Sequence, residues 1–380
     1  GDIVSVKDYA RTFDTNNLTV GRGGSNMDGT ATDSTFSTEG LSATLIYMDA
    51  TKGWSLINDD GTTKIGAAYV AATGGTETTV CTNFKVHTFT GPGTFCVSNA
   101  GNPGGSSTVD YLVIAGGGSS SQGGGSYAGG GGGAGGYRFS NGTASGCYSA
   151  GPSPLGASAL PISVQGYPIT VGAGGARVGG CNEQPGLQGA NSIFSTITST
   201  GGGAGRMSYP SIPSGTDTAN GGSGGGGAAP WGSVGSSNTS VPGGAGNSPP
   251  VSPSQGNTGG TTPTNNNAAG GGGGAGAVGG DSPGAGNGGA GGAGLASTIT
   301  GSPVTRGGGG GGSGHPSPGA AGSGGGGVGG TIPSTSGGAG TANTGGGAGG
   351  GAAKSAPGSV TSYNAAGGSG VVIIRYKFQG

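Results

Sequence analysis

Few residues in this chain have the types that do chemistry, and their spacing keeps them apart. The two histidines are His87 and His315. His87 falls in NFKVHTF beside Val86 and Phe89, as a strand residue would, and His315 falls in the turn-like SGHPSPG. General acid–base work needs a second group within hydrogen-bond reach, and neither histidine has a carboxylate pair or a G-x-S-x-G elbow near it in sequence. Lys354 lies in GGGAAKS, but Ala353 holds the position that a phosphate-cradling loop needs as glycine, and no helix follows. Matches to G-x-G-x-x-G are abundant and carry no weight in so glycine-rich a chain, and the sequons at Asn17, Asn141 and Asn238 are weak among so many Asn, Ser and Thr residues. The expectation is a protein that is not an enzyme and holds no cofactor.

The four cysteines are Cys81, Cys96, Cys147 and Cys181. No C-x-x-C or paired histidine accompanies them, so no metal site is expected. Cys81 and Cys96 flank an expected hairpin, whereas Cys147 and Cys181 lie in glycine-rich sequence. An even count permits three disulfide pairings, and four free thiols are the alternative.

The elements that would position any site divide by composition. Glycine accounts for 105 and proline for 21 of 380 residues, a level that without a strict period marks low complexity. Residues 1–110 carry 17 charged residues and 16 glycines, and residues 111–370 carry 8 charged residues and 88 glycines. Only 7% of residues are charged and the net charge is −1, so no basic stripe exists for nucleic acid. No run of 18 apolar residues is present, so no membrane insertion is expected. The first residue is Gly1: either the start was cut away or the chain lies inside a longer product.

The N-terminal part is β in pattern. DIVSVKDYARTF, ATLIYMDA, GWSLIND and AAYVAA are short β-branched or aromatic runs, with turn chemistry at Asp49–Gly53 and Asp59–Gly61. NFKVHTFTGPGTFCVSN is a second hairpin, turning at Gly91–Pro92–Gly93. VDYLVIAGGG (109–118) and GSGVVIIRYKF (368–378) hold continuous apolar runs, the signature of strands buried on both faces. They are expected to share one sheet that brackets the glycine-rich part. YPITVGAGG (167–175) and NSIFSTITSTGGGAG (191–205) repeat the grammar of a strand feeding into a glycine run. The domain map is therefore 1–75, an N-terminal β module; 76–110, a β-hairpin connector; and 111–380, a glycine-rich domain closed by strand 370–378.

The glycine runs have irregular gaps, so a collagen repeat fails. Polyproline II helices have three residues per turn and no internal hydrogen bonds, so their N–H and C=O groups must find outside partners. Several packed side by side bond one another, provided that no Cβ intrudes between them. A helix enclosed on all sides is then glycine at every position, and one at the surface is G-G-x or G-x-x. The runs 307–312, 270–274 and 129–133 fit the enclosed class, with 307–312 the most enclosed; 284–294 and 337–351 fit the outer class. Six glycines span roughly 19 Å in this conformation. The expected fold class is mainly β: small β modules followed by a glycine-rich domain of packed polyproline II helices framed by β-strands.

Segments between the runs then become turns, where bulky residues collect. Tyr148, Arg206, Met207, Tyr209, Trp231 and His315 are the receptor-binding candidates, since loops on a rigid scaffold favour recognition and Tyr and Trp give large contact area for little entropy.

Two sets of residues carry a resemblance. FDTNNLTV (13–20) with STEGLSATLIYMDATKGW (37–54) resembles a small β module of structural proteins of tailed phages, especially marine and cyanobacterial ones. HTFTGPGTFCV (87–97), VDYLVIAGGG, GAGGYR (133–138), YPITVGAGG, SIFSTITSTGGG (192–203) and GSGVVIIRY resemble the glycine-rich domain at the ends of phage tail fibres and related adhesins. The resemblance implies an extracellular virion component, commonly a homotrimer, bound to other virion or tail proteins and contacting a host glycan or outer-membrane protein. It departs from the glycine-rich tip adhesins of T-even-like phages, which lack the strand frame. A purely structural head fibre or capsid decoration protein, and a bacterial surface adhesin, are the alternative readings. An ice-binding protein would need Thr or small residues at fixed spacing on one face, and the irregular turns speak against it.

Overall fold

The computed structural model describes residues 2–57, 68–121, 128–142, 156–178, 185–207, 218–229, 240–264, 268–331, 336–352 and 364–380. Every regular element among them is a β-strand. No helix among the described residues is long and apolar enough to cross a membrane.

The N-terminal part folds around Phe36, Ala43 and Leu45, with Phe13, Leu18, Leu41, Trp54 and Leu56 packed against them. Strands Ile3–Lys7, Ser42–Asp49 and Gly53–Leu56 form one antiparallel sheet, and Leu18–Val20 pairs with Ser34–Phe36. The turn expected at Asp49–Gly53 forms because the Asp49 carboxylate accepts from the amides of Thr51 at 2.8 Å and Lys52 at 2.6 Å. Gly53 completes it at a φ of +69°, with the Asn26 backbone lying where a Cβ would go. Asp8 ties the first strand to its surroundings, accepting from the amides of Thr12, Phe13 and Gly40. Burial pushes its carboxyl up, but those amides together with that of Arg11 outweigh burial and hold it below the ordinary carboxylate range. A depressed pKa stabilises the fold above the unfolded-state value, and that stability is lost as pH falls through the folded one. Asp8→Ala is expected to destabilise this part and to flatten its acid unfolding, read by circular dichroism between pH 5 and about 2.

Two sheets form the frame of the glycine-rich part. One runs Tyr137–Phe139, Thr108–Ile114, Val371–Lys377, Phe84–Phe89, Thr76–Val80; the other runs Ile197–Ser199, Ser192–Phe194, Gly166–Thr170, Gly93–Ala100, Val70–Thr73. The two apolar runs read from sequence are antiparallel neighbours, in register from Asp110↔Arg375 to Ile114↔Val371. Tyr111, Val113, Val372, Ile374 and Tyr376 pack against Phe95, Val97, Ile169 and Phe194 of the other sheet. Leu112, Ile114, Val371 and Ile373 face the other way, onto Tyr137, Phe139, Ala275 and Ile299. Both faces of the central strands are covered, which is why their sequences do not alternate.

The expected hairpin at Gly91–Pro92–Gly93 is corrected. Phe84–Phe89 is flanked on both edges, by Val371–Lys377 and Thr76–Val80, so Gly93–Ala100 crosses to the second sheet and pairs there. Residues 76–100 thus supply strands to the frame and do not stand as a separate connector. The expected turn at Asp59–Gly61 lies outside the described residues.

The glycine runs bond with a period of three. In run 128–136, the amides of Gly129, Gly132 and Gly135 donate to Gly351, Ala348 and Gly345; those of Gly130, Gly133 and Gly136 donate to Arg206, Gly203 and Thr200; those of Gly131 and Ala134 donate to Gly270 and Gly273. Its carbonyls accept from Ala115 and Gly118, from Ser223 and Gly226, and from Gly310 and Ser313. Each step of one residue turns to the next neighbour and every third residue returns to the same one, as three residues per turn require. Run 128–136 therefore touches six runs: 345–351, 200–206 and 269–275, to which it donates, alternating around it with 115–121, 221–229 and 307–314, from which it accepts.

Run 307–314 also has neighbours on all sides. It donates to 128–136, 324–330 and 288–294, and accepts from 269–275, 345–351 and 319–322. The enclosure expected of its glycines holds, but it belongs to an inner ring and the axis of the bundle is 128–136. An outer ring follows: 171–175, 187–190, 218–220, 241–246, 256–262, 277–282, 288–294, 317–323, 326–331, 337–341 and 364–370. The outer run 288–294 obeys the G-G-x rule, with Gly289 and Gly292 buried and Ala290 and Ala293 exposed. The stretch 337–351 is corrected from one outer helix to two, an outer 337–341 and an inner 345–351, because the chain reverses where Thr344 Oγ1 donates to the Thr341 carbonyl and Gly345 takes a φ of +67°.

Candidate functional site

The bundle has two unlike ends. At the basal end the runs pass into strands: Ile114 into 115–121, Gly136 into Tyr137, Arg306 into 307–314 and Gly370 into Val371. At the distal end they stop at small residues, apart from Arg206. Ser121, Ala128, Arg206, Ala229, Ser313 and Ala352 meet there, through Ala229 N–H to Ala128, Gly351 N–H to Ser121, Ser313 N–H to Gly129 and the Ala128↔Ala352 bridge. Ala128, Ala229 and Ala269 form a buried apolar cluster at this level. The segments 122–127, 208–217, 230–239 and 353–363 each depart from and return to described residues at or near this end.

Three of the six receptor-binding candidates are described. Arg206 is half-buried; its amide donates to Gly226 at 2.9 Å, and its carbonyl accepts from Gly130 and from Ser121 Oγ. Met207 follows it, also half-buried. His315 is exposed, and its amide donates to the Gly286 carbonyl at 2.7 Å. Arg206 ends run 200–206 and His315 follows run 307–314, and those two runs stand on opposite sides of run 128–136. The two side chains therefore cap different sectors of the end and do not form one patch.

Tyr148, Tyr209 and Trp231 lie outside the described residues. Tyr209 and Trp231 belong to segments 208–217 and 230–239. Tyr148 belongs to 143–155, whose described flanks sit at the frame: Asn141 N–H donates to Ala157 and Ala157 N–H to Phe139. Those flanks pair beside strand Thr108–Ile114. The serines and alanines that close the runs, Ser121, Ser313, Ala128 and Ala352, were not singled out from sequence; the signal was a small non-glycine residue at the end of each run.

Cys81 and Cys96 are not joined. Cys96 is a free, exposed thiol on strand Gly93–Ala100, while Cys81 sits at a φ of +46° in the turn after Val80. The two sheets hold those positions apart, which the assumed hairpin did not allow for. Cys147 and Cys181 lie outside the described residues.

The other histidine serves the frame. His87 is fully buried, Nδ1 donates to the Gly74 carbonyl at 2.7 Å, and Nε2 accepts from the Tyr376 hydroxyl at 3.0 Å. Its ring stacks on Tyr376 and meets Phe95 edge-on. Burial pushes its pKa down, and the Gly74 bond and Glu77 offset only part of that. Because the folded state disfavours the imidazolium, the unfolded chain binds more protons and stability falls as pH drops below the ordinary 6.5. We expect a lower melting temperature at pH 5 than at pH 7, with the difference shrinking in His87→Asn; an unchanged difference contradicts this role.

The distal end offers small side chains and backbone polar groups bonded to neighbours. No group of three or more His, Cys, Asp or Glu side chains gathers among the described residues. Such an end can bind by contact and hydrogen bonding. Comparison with curated proteins gives no match. A family model described as a glycine-rich domain matches residues 90–377, from just before strand Gly93–Ala100 to the end of Val371–Lys377, so the chain belongs to the glycine-rich domain family.

Proposed function

We propose that the chain is the receptor-binding head of a phage fibre, built as a homotrimer on the virion and exposed outside the host cell. The N-terminal β module joins it to other virion or tail proteins, and the distal connections touch a host glycan or outer-membrane protein. The observation that carries this reading is the polarity of the bundle. One end is spent on the strand frame, and the other returns segments 122–127, 208–217, 230–239 and 353–363 to a floor of small residues. A scaffold whose runs bond on all sides fixes that floor, so the connections can vary without disturbing it. The resemblance of the frame strands and the 13–54 module to phage fibre proteins points the same way.

Competition tests it. Purified chain added to host cells before phage is expected to block adsorption, and the same chain with Tyr209 and Trp231 both changed to Ala is expected to block it far less. A chain that never competes, while particles carrying it still adsorb, makes it a structural fibre or decoration protein.

A further inference from the structure

Where the bundle meets the frame, two buried donors stand without partners. The Tyr137 hydroxyl and Arg306 Nη1 are both enclosed and accept or donate no hydrogen bond. Tyr137 is 2% exposed and ends run 128–136; it packs among Leu112, Ile114, Phe139 and Ala275. Arg306 is half-buried and precedes run 307–314, on a strand in register with Leu295, which packs on that same cluster. The next residue, Gly307, lies against the tyrosine: a Cβ there would stand 3.4 Å from Tyr137 Cδ2. Among the described residues no carboxylate forms an ion pair with Arg306.

We propose that Tyr137 and Arg306 form a binding site for one small monovalent anion of the halide class, held by the Tyr137 hydroxyl and Arg306 Nη1. A buried charge is ordinarily paired, and a buried donor ordinarily bonded. Both groups here are donors and one is positive, so a single acceptor with one negative charge satisfies both. Phosphate carries more charge than one guanidinium balances and more oxygens than two donors fill. The electrostatics agree: burial pushes the tyrosine up and the arginine down, and each is offset only by the other.

The site joins the end of run 128–136 and the start of run 307–314 to the frame, so the anion should raise stability by linkage. The test melts the full chain in sodium bromide and in sodium isethionate at equal ionic strength. Bromide is expected to raise the melting temperature of the wild type, to do so less in Tyr137→Phe, and not at all in Arg306→Met. Crystals grown in bromide are expected to show anomalous density between the hydroxyl and Nη1, a readout that needs no variant to fold. Equal melting in the two salts, or a water refined at that position in bromide, overturns the proposal.

Discussion

Gly309→Val is expected to prevent the glycine-rich domain from folding, whereas His315→Ala, six residues along the same segment, is expected to leave the melting temperature unchanged. A Cβ at Gly309 falls inside the van der Waals shell of the Gly272 carbonyl, with the Gly273 carbonyl oxygen 2.7 Å away. Those atoms are backbone of a neighbouring run and no rotamer change relieves them. Ordinary overpacking of a side-chain core costs about 1–3 kcal/mol. Here the run must move, and it bonds neighbours on every side: Gly309 to Gly292, Gly310 to Gly132, Gly311 to Gly327 and Gly312 to Gly289. Each bond is worth about 0.5–1.5 kcal/mol net, and each buried group left unpaired costs about 1–3. A few such losses reach the roughly 5–15 kcal/mol by which domains are stable at all. Soluble yield and backbone circular dichroism read the outcome. Ala290→Ser is the matched control: its Cβ is already exposed on an outer run, so the change should fall within about 0.5 kcal/mol. A valine at 309 that melts like wild type contradicts close packing around that run.

The second large effect belongs to the distal connections. Replacing 208–217 and 230–239 by Gly-Ser segments of equal length is expected to abolish adsorption while particles still assemble. Truncating one aromatic anchor of an interface typically costs about 2 kcal/mol or more, roughly thirtyfold in affinity. Losing Tyr209 and Trp231 together exceeds that. Assembly should survive because the flanking residues are held from below: Ala204 N–H bonds Thr218, Arg206 N–H bonds Gly226 and Ala229 N–H bonds Ala128. Adsorption counts and electron micrographs of the same particles separate the two properties. Normal adsorption by such particles removes the receptor-binding reading and leaves the bundle as a structural element.

The frame was legible in sequence because burial on both faces writes continuous apolar runs, and VDYLVI and VVIIRY lie side by side at its centre. The glycine bundle was legible for a related reason: a run bare at every position requires neighbours on every side. Rank within the bundle was not legible. Run length records how far a helix stays enclosed, while its place in the lattice depends on where its ends are tied. Run 128–136 has Ala128 and Ala134 within it, yet it is the axis, since both alanine side chains fit fully buried between neighbours. The GPG segment showed that the chain turns there but not which sheet edge was open to receive Gly93–Ala100. The same limit applied to the site. Arg206 and His315 both sit at the ends of runs, but only the hydrogen-bond order reveals that run 128–136 separates them.

Hydrogen exchange resolved by residue tests the bundle most directly. Among the glycine runs, amides of 128–136 are expected to exchange slowest, those of 307–314 and 345–351 nearly as slowly, and the amides of Ala290 and Ala293 on the outer face to exchange fast. Fast and uniform exchange across Gly129–Gly136 would contradict an enclosed axis and, with it, the rigid end on which the proposed recognition depends.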